Sequence, residues 1–124
     1  MDEALHALLL ANAAITARVG QRVFWGEAKQ GEALPAVVLT IISAVDHAHM
    51  SGGGYIVYRV QVDCIGADRP GARLLSRDVM AAINRTRNGS IRFIQSDGER
   101  ETVGDAAGQR AFVVQQDYLI TWRA

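Results

Sequence analysis

Residues 55–65, Tyr55-Ile56-Val57-Tyr58-Arg59-Val60-Gln61-Val62-Asp63-Cys64-Ile65, decide the fold. Ile56, Tyr58, Val60, Val62 and Cys64 share one parity, and Arg59, Gln61 and Asp63 share the other. Side chains of a strand alternate between its faces, so this is a strand with one apolar and one polar face. Upstream, Ala36–Val45 is apolar on both parities, with Val37, Leu39 and Ile41 against Val38, Ile42 and Ala44. That pattern predicts a strand covered on both sides. Between the two, residues 46–54 end in Gly52-Gly53-Gly54 and read as the turn of an antiparallel hairpin.

Helices flank this hairpin. Leu5, Leu8 and Leu9 at i, i+3, i+4 predict a helix over 2–11, with Asp2 and Glu3 suited to its positive N-terminal end. Asn12 caps a second short turn over 13–18, ended by Gly20. Arg22–Trp25 is a short extended stretch, and residues 26–35 form a loop. Downstream, Asp68 N-caps a helix over 69–85, with Pro70 in its first turn. Ala72, Leu75, Val79, Ala82 and Ile83 make its apolar stripe, and Arg69, Arg73 and Arg77 lie on a flank of that stripe. A third strand is expected at Ile91–Ser96, a polar loop at 97–110, and a last strand at Phe112–Arg123. Phe112, Val114, Tyr118, Ile120 and Trp122 lie on one parity of that strand, and Gln115 and Asp117 on the other. The resulting expectation is a single domain over 1–124 of the α+β class. It is an antiparallel sheet of about four strands with helices packed on one face, in the order α-ββ-α-ββ. The face carrying Arg59, Gln61, Asp63, Gln115 and Asp117 meets water.

Charge narrows the function classes. The chain of 124 residues has 13 basic and 13 acidic side chains. A nonspecific nucleic-acid binder carries a basic excess, and so does a polybasic membrane-surface protein; this chain has none. All the basic residues except Lys29 are arginines, which are enriched at protein interfaces where lysine is depleted. Residues 1–68 hold 4 basic and 7 acidic groups, whereas residues 69–124 hold 9 and 6. Oppositely charged halves suit head-to-tail association of copies. Cys64 is the sole cysteine, so no CxxC metal or redox pair exists. No apolar stretch has membrane-helix length, and Asp2-Glu3 before Leu8-Leu9-Leu10 does not read as a secretory signal. The expected compartment of synthesis is a reducing cytoplasm.

No catalytic constellation stands out. His47 and His49 could chelate a metal from an extended segment, and Ser43 or Ser51 lies near them. No second His or Cys cluster completes such a site, and a polar hairpin turn is the simpler reading. Gly52-Gly53-Gly54 lacks the GKS/T ending of a phosphate loop and precedes a strand. Cys64 lies on the apolar parity of its strand, as a core thiol does. Trp25, beside a glycine-containing loop, is either a core lid or an interface anchor.

Several stretches together carry a resemblance. They are Leu5-His6-Ala7-Leu8-Leu9-Leu10 with Ile15 and Gly20-Gln21-Arg22-Val23-Phe24, then Leu34-Pro35-Ala36-Val37-Val38-Leu39 with Ile42-Ser43. Arg59-Val60-Gln61-Val62-Asp63-Cys64 follows, then the helix with Ala72, Leu75, Val79 and Ile83, and finally Gln116-Asp117-Tyr118-Leu119-Ile120-Thr121-Trp122. In this order and spacing the chain resembles the tail-terminator, or tail-completion, proteins of long-tailed phages, prophages and gene transfer agents. Ala36 stands where that family often has an aromatic residue.

The resemblance implies a structural virion protein with no enzyme activity and no cofactor. Its copies form a ring, generally a hexamer, that caps the head-proximal end of the tail tube. The implied partners are other copies of itself, the tail tube protein, a head-completion or connector protein, and DNA passing through the channel without specific binding; no membrane is involved. On this reading Arg59, Gln61, Asp63, Gln115 and Asp117 are lumen-facing candidates, and Arg69, Arg73, Arg77 and Trp25 are subunit-interface candidates. The expected loops supply the candidate contacts to tube or connector: His47, His49, Met50, Gly52, Gly53 and Gly54 from one, and Asp97, Glu99, Arg100 and Glu101 from the other. The alternatives are a head-completion or other neck-ring protein, and a small metal-dependent or hydrolytic enzyme centred on His47 and His49.

Overall fold

A computed structural model describes residues 1–106 and 108–124. The elements in chain order are α1 (Asp2–Leu10), α2 (Ala13–Val19), β1 (Val23–Trp25), β2 (Ala36–Ala48), β3 (Gly54–Gly66), α3 (Arg69–Ile83), β4 (Ile91–Ala106) and β5 (Gln109–Trp122). The strands form one sheet in the order β1-β2-β3-β5-β4. The α+β class and the placing of helices on one face hold. The sheet differs from the expected one in strand number and direction. It has five strands, because the short apolar run Val23–Trp25 joins it, and β1 runs parallel to β2. Parallel neighbours need a long connection, and residues 26–35 provide one.

The local signals act as the side chains dictate. The Asn12 side chain accepts the Ile15 amide at the start of α2, and the Asp68 side chain accepts the Gly71 amide at the start of α3. Each satisfies an orphan donor of a first helical turn. Leu5 and Leu9 of α1, Ile15 and Val19 of α2, and Leu75, Val79 and Ile83 of α3 are buried against the strand parity of Val37, Leu39, Val60, Val62, Val114, Tyr118 and Ile120. Burying each large aliphatic side chain contributes about 1.5–3 kcal/mol. The His6 ring lies 2.9 Å from the Val23 carbonyl and ties α1 to the edge strand.

Both expected loops are largely strand. β2 runs on to Ala48 and β3 begins at Gly54, so only residues 49–53 form the hairpin tip. β4 does not stop at Ser96; it continues to Ala106, paired with β5 as far as Gln109. Of that expected loop, Ala107 lies outside the described residues. Ladder pairing overrides the polar, glycine-containing composition that reads as loop, because β5 supplies a partner for each row. The two hairpin tips lie at opposite ends of the sheet, since β2–β3 turns beyond the Ile56–Trp122 row and β4–β5 turns beyond the Gly66–Phe112 row. β2 is covered on both faces only over Ala36–Leu39; Ile42 is 51% and Val45 52% exposed. The sheet face opposite the helices also holds a small apolar cluster of Val38, Ile65 and Ala111, under Ala28 and Leu34 of the 26–35 loop.

Gly66 is where β3 meets the start of α3. A Cβ there would lie 2.6 Å from the Ala72 amide nitrogen and 3.0 Å from the Asp68 carbonyl oxygen. Gly104, in the outer part of β4, has nothing within 4 Å of such a position. Gly66→Ala is therefore expected to destabilise the protein by about 1–3 kcal/mol. Gly104→Ala should stay within about 0.5 kcal/mol of the parent. Thermal melts of the two variants check this, and coincident melting of Gly66→Ala with the parent would contradict it.

Candidate functional site

The polar parity of β3 faces away from the helices and meets that of β5. The register sets Gln61 opposite Asp117 and Asp63 opposite Gln115. Arg100 of β4 crosses to this group. Its Nε donates to Gln115 Oε1 at 2.9 Å, one Nη donates to Gln61 Oε1 at 2.9 Å, and the other lies 3.4 Å from Asp117 Oδ2. Arg59 lies 2.6 Å from Asp97 Oδ2 and 3.8 Å from Asp117 Oδ2. Gln61 Nε2 donates to Asp63 Oδ1 at 3.0 Å. The lumen-facing candidates Arg59, Gln61, Asp63, Gln115 and Asp117 thus form one connected patch. Asp97 and Arg100, expected on a contact loop, complete it. Each arginine on the patch is engaged by carboxylate or amide oxygens of the same chain.

Glu99 and Glu101 point the other way, toward α3. Arg73 lies 2.8 Å from Glu99 and 3.7 Å from Glu101, and Arg69 lies 3.2 Å from Glu101. Two of the subunit-interface candidates, Arg69 and Arg73, therefore find their acids within the chain. Arg77 is exposed, and among the described residues it has no ion-pair partner. Trp25 packs on the edge of the core, and its buried Nε1 has no hydrogen-bond partner among the described residues. It lines a shallow hollow with Asp2, Glu3 and His6. At the tip of the β2–β3 hairpin, His47 stacks on Tyr55 with ring centroids 4.7 Å apart, and Met50 is fully exposed. Gly52 and Gly53 lie within that tip, and Gly54 begins β3. Among the described residues, no group of His, Cys, Asp and Glu is arranged to hold a metal.

Sequence reasoning missed Gln116. It sits on the apolar parity of β5 and is fully buried. Its Nε2 donates to the Ser76 carbonyl at 3.0 Å and to Glu99 Oε1 at 3.1 Å, and its Oε1 accepts from the Tyr118 hydroxyl at 2.8 Å. A polar residue breaking an apolar parity was the available signal, since a buried amide must find partners. The contact ties α3, β4 and β5 together.

Two carboxylates of the site respond to pH in opposite directions. Burial raises Asp63 above the ordinary carboxylate range, against the lowering effects of Gln61, Gln115 and Arg100. The hydrogen bond from Arg73 lowers Glu99. A folded-state value above the unfolded one means that stability falls as pH rises through the carboxylate range. Asp63→Asn is therefore expected to stabilise the protein at pH 7, with the gain vanishing below the ordinary aspartate range. Glu99 contributes stability above its unfolded value that is lost as pH falls through its lowered folded value. Glu99→Gln should accordingly destabilise at pH 7 and converge with the parent in acid. Urea unfolding of both variants across pH 3–7 reads the two trends, and parallel profiles would contradict them.

Comparison with known proteins places this geometry. The family model described as tail completion protein gp17 matches residues 3–120. No curated protein matches the sequence. Among solved structures, a chain described as "Virion of native gene transfer agent (GTA) particle" superposes with a TM-score of 0.78 at 16% identity, covering 97% of this chain and 92% of that one. At that identity the likeness is one of fold. Among the described residues, no helix is long and apolar enough to cross a membrane. The match to the family model over residues 3–120 carries the assignment: the chain belongs to the tail completion protein gp17 family, and so to the structural proteins of phage-type tails.

Proposed function

We propose that copies of this chain form a ring, of six in the family pattern, that caps the head-proximal end of the tail tube. The ring ends tail growth, joins the tail to the head-completion or connector protein, and passes DNA through its centre. The charged sheet face lines that channel. The particle is a phage, prophage or gene transfer agent virion, in keeping with the particle from which the similar solved chain comes.

One observation carries the channel reading: the mutual compensation of the charged face. Arg59 and Arg100 are each held by in-chain carboxylates, Arg59 by Asp97 and Asp117, and Arg100 by Asp117. Free arginines would bind phosphates, release counterions and hold the duplex in a salt-dependent grip. Engaged arginines leave a polar, hydrated wall past which DNA slides. The hairpin tips at opposite ends of the sheet suit contacts in opposite directions. With strands along the channel, the residue 49–53 tip faces one neighbour in the tail axis and the β4–β5 tip faces the other.

Deleting the gene from a particle-producing strain tests the terminator role. Overlong tails are expected; tails of normal length without heads would indicate a joining factor instead. The wall is tested by the double variant Asp97→Asn/Asp117→Asn, which removes the carboxylates that neutralise Arg59 and Arg100. Binding of duplex DNA by parent and variant is compared by fluorescence anisotropy across a range of salt concentrations. The variant should bind with a log–log salt slope steeper than the parent's by about 0.9 for each uncompensated arginine that meets a phosphate. Its particles should assemble and deliver DNA poorly. Delivery and DNA binding indistinguishable from the parent would remove this face from the channel.

A further inference from the structure

The topology turns a pattern in sequence into one in space. Residues 1–68 build β1, β2, β3, α1 and α2, which form one side of the sheet, and residues 69–124 build α3, β5 and β4, which form the other. Ion pairs within the chain consume the charges near the middle. What they leave is unevenly distributed. Among the described residues, Asp2, Glu3 and Asp46 have no ion-pair partner and lie on the β1–β2 side, whereas Glu27 and Glu32, also without one, belong to the loop that crosses the open face, where Gln109 of β5 donates to the Glu32 carbonyl at 2.9 Å. Arg77, Arg85, Arg87, Arg92 and Arg110 likewise have none and lie on the α3–β4–β5 side, whereas the unpaired Arg123 reaches Gly53 at the β2–β3 tip. Arg22, Lys29 and Asp105 run against this bias, and Asp63 and Asp68, also without an ion-pair partner, lie toward the middle.

Height along the strands adds a second constraint. Asp46 shares its row with Ile56, Trp122 and Ile91, so it stands level with the start of β4. Arg92 occupies the register shift after Ile91, and Arg85 and Arg87 lie in the segment alongside. That segment already closes the outer backbone of β4. Arg85 N donates to the Ile94 carbonyl at 2.6 Å, and Asn88 and Ile91 exchange backbone bonds at 2.8 and 2.9 Å. A neighbour at this height therefore meets arginine side chains rather than an open strand edge. At the same height on the other side, β1 pairs only with Val37–Leu39, which leaves the outer edge of β2 uncovered with Ile42 and Val45 exposed. Arg85 also has φ 61°, and among the described residues it is the one non-glycine in the left-handed region. Glycine or asparagine would fit that backbone better.

We infer that the occupant of the exposed β2 edge is a second copy of this chain, docked through its Arg85–Arg87–Arg92 corner, with Asp46 as the acid that receives it. The inference rests on the ring reading and names the contact that builds the ring. Because the two surfaces differ, the interface is heterologous; because they lie level, repeated docking adds no climb along the strands, as a closed ring requires. The exposed Ile42 and Val45 supply apolar area beneath the charges.

Assembled particles carrying Asp46→Cys/Arg92→Cys, treated with a short bismaleimide, test the contact. Cys64 is fully buried and out of reach of the reagent. The double variant should give a ladder of covalent multimers up to the full ring, and neither single variant should. Several copies per particle without a ladder would overturn this contact and leave the ring standing. One copy per particle would overturn the ring and this inference with it. Arg85→Gly separates assembly from folding, since it removes the guanidinium and relieves the backbone. Its melting temperature should match or exceed the parent's while incorporation into particles falls roughly tenfold. Undiminished incorporation would overturn the role of the corner.

Discussion

One extra residue in β4 sets the sidedness of the charges. Ser96 pairs with Tyr118 and Glu99 with Gln116, so β4 spends three steps where β5 spends two. Gly98, at φ 116°, absorbs the difference in a conformation that other residues rarely adopt. Strand side chains alternate, so one inserted residue exchanges the faces of everything beyond it. With the bulge, Arg100 joins Asp117 and the glutamines on the open face, and Glu99 and Glu101 meet Arg73 and Arg69 of α3. Without it, Arg100 would be driven toward the arginines of α3, and the glutamates would crowd the face that already holds Asp63, Asp97 and Asp117. Two like-charge clusters would replace two compensated ones.

The buried amide of Gln116 reinforces the same geometry from the core. It receives the Tyr118 hydroxyl and reaches both the Ser76 carbonyl of α3 and Glu99 of β4. Leaving one such buried group unpaired costs about 1–3 kcal/mol, so a slip of β4 against β5 would carry that penalty as well as the electrostatic one. The exposed ion pairs themselves contribute little each, about 0–1 kcal/mol. Their effect lies in which register they permit. Hydrophobic burial under the helices supplies the stability, and the polar contacts select which of the possible alignments is occupied.

This division explains what could be read in the sequence. The strand at Tyr55–Ile65, the α3 stripe and the helix caps rest on local periodicity and short-range hydrogen bonds, and they stand as read. The charged face was legible too, because Arg59, Gln61, Asp63, Gln115 and Asp117 follow strict alternation within two strands. Asp97–Ala106 was not legible as strand. Its bulge breaks the period, and its pairing depends on β5, which no local signal announces. Val23–Trp25 was too short to declare itself a sheet member, and its partner lies beyond a ten-residue connection. The apparent two-sided burial of β2 failed because apolar character at Ile42 and Val45 records a partner outside the chain as readily as a core within it. Likewise, the helical spacing of Arg69, Arg73 and Arg77 located those arginines without revealing that β4 supplies acids to the first two.

Neutral overall charge is compatible with opposite behaviours at different surfaces. Where positive and negative side chains interleave on one face, their fields cancel within a few ångströms, and a passing polyanion meets little attraction. Where they are segregated to opposite edges, each edge keeps a field that only the other edge of a like molecule complements. On the proposed reading, the interleaved face lets nucleic acid pass and the sides select other copies of the chain. Weak contacts suffice for that selectivity, because closing a ring makes the last contact intramolecular and commits every subunit at both edges. Exposed charge pairs of this kind are screened by salt. Ring closure should consequently depend on ionic strength more steeply than folding does, because folding draws on burial that salt does not screen.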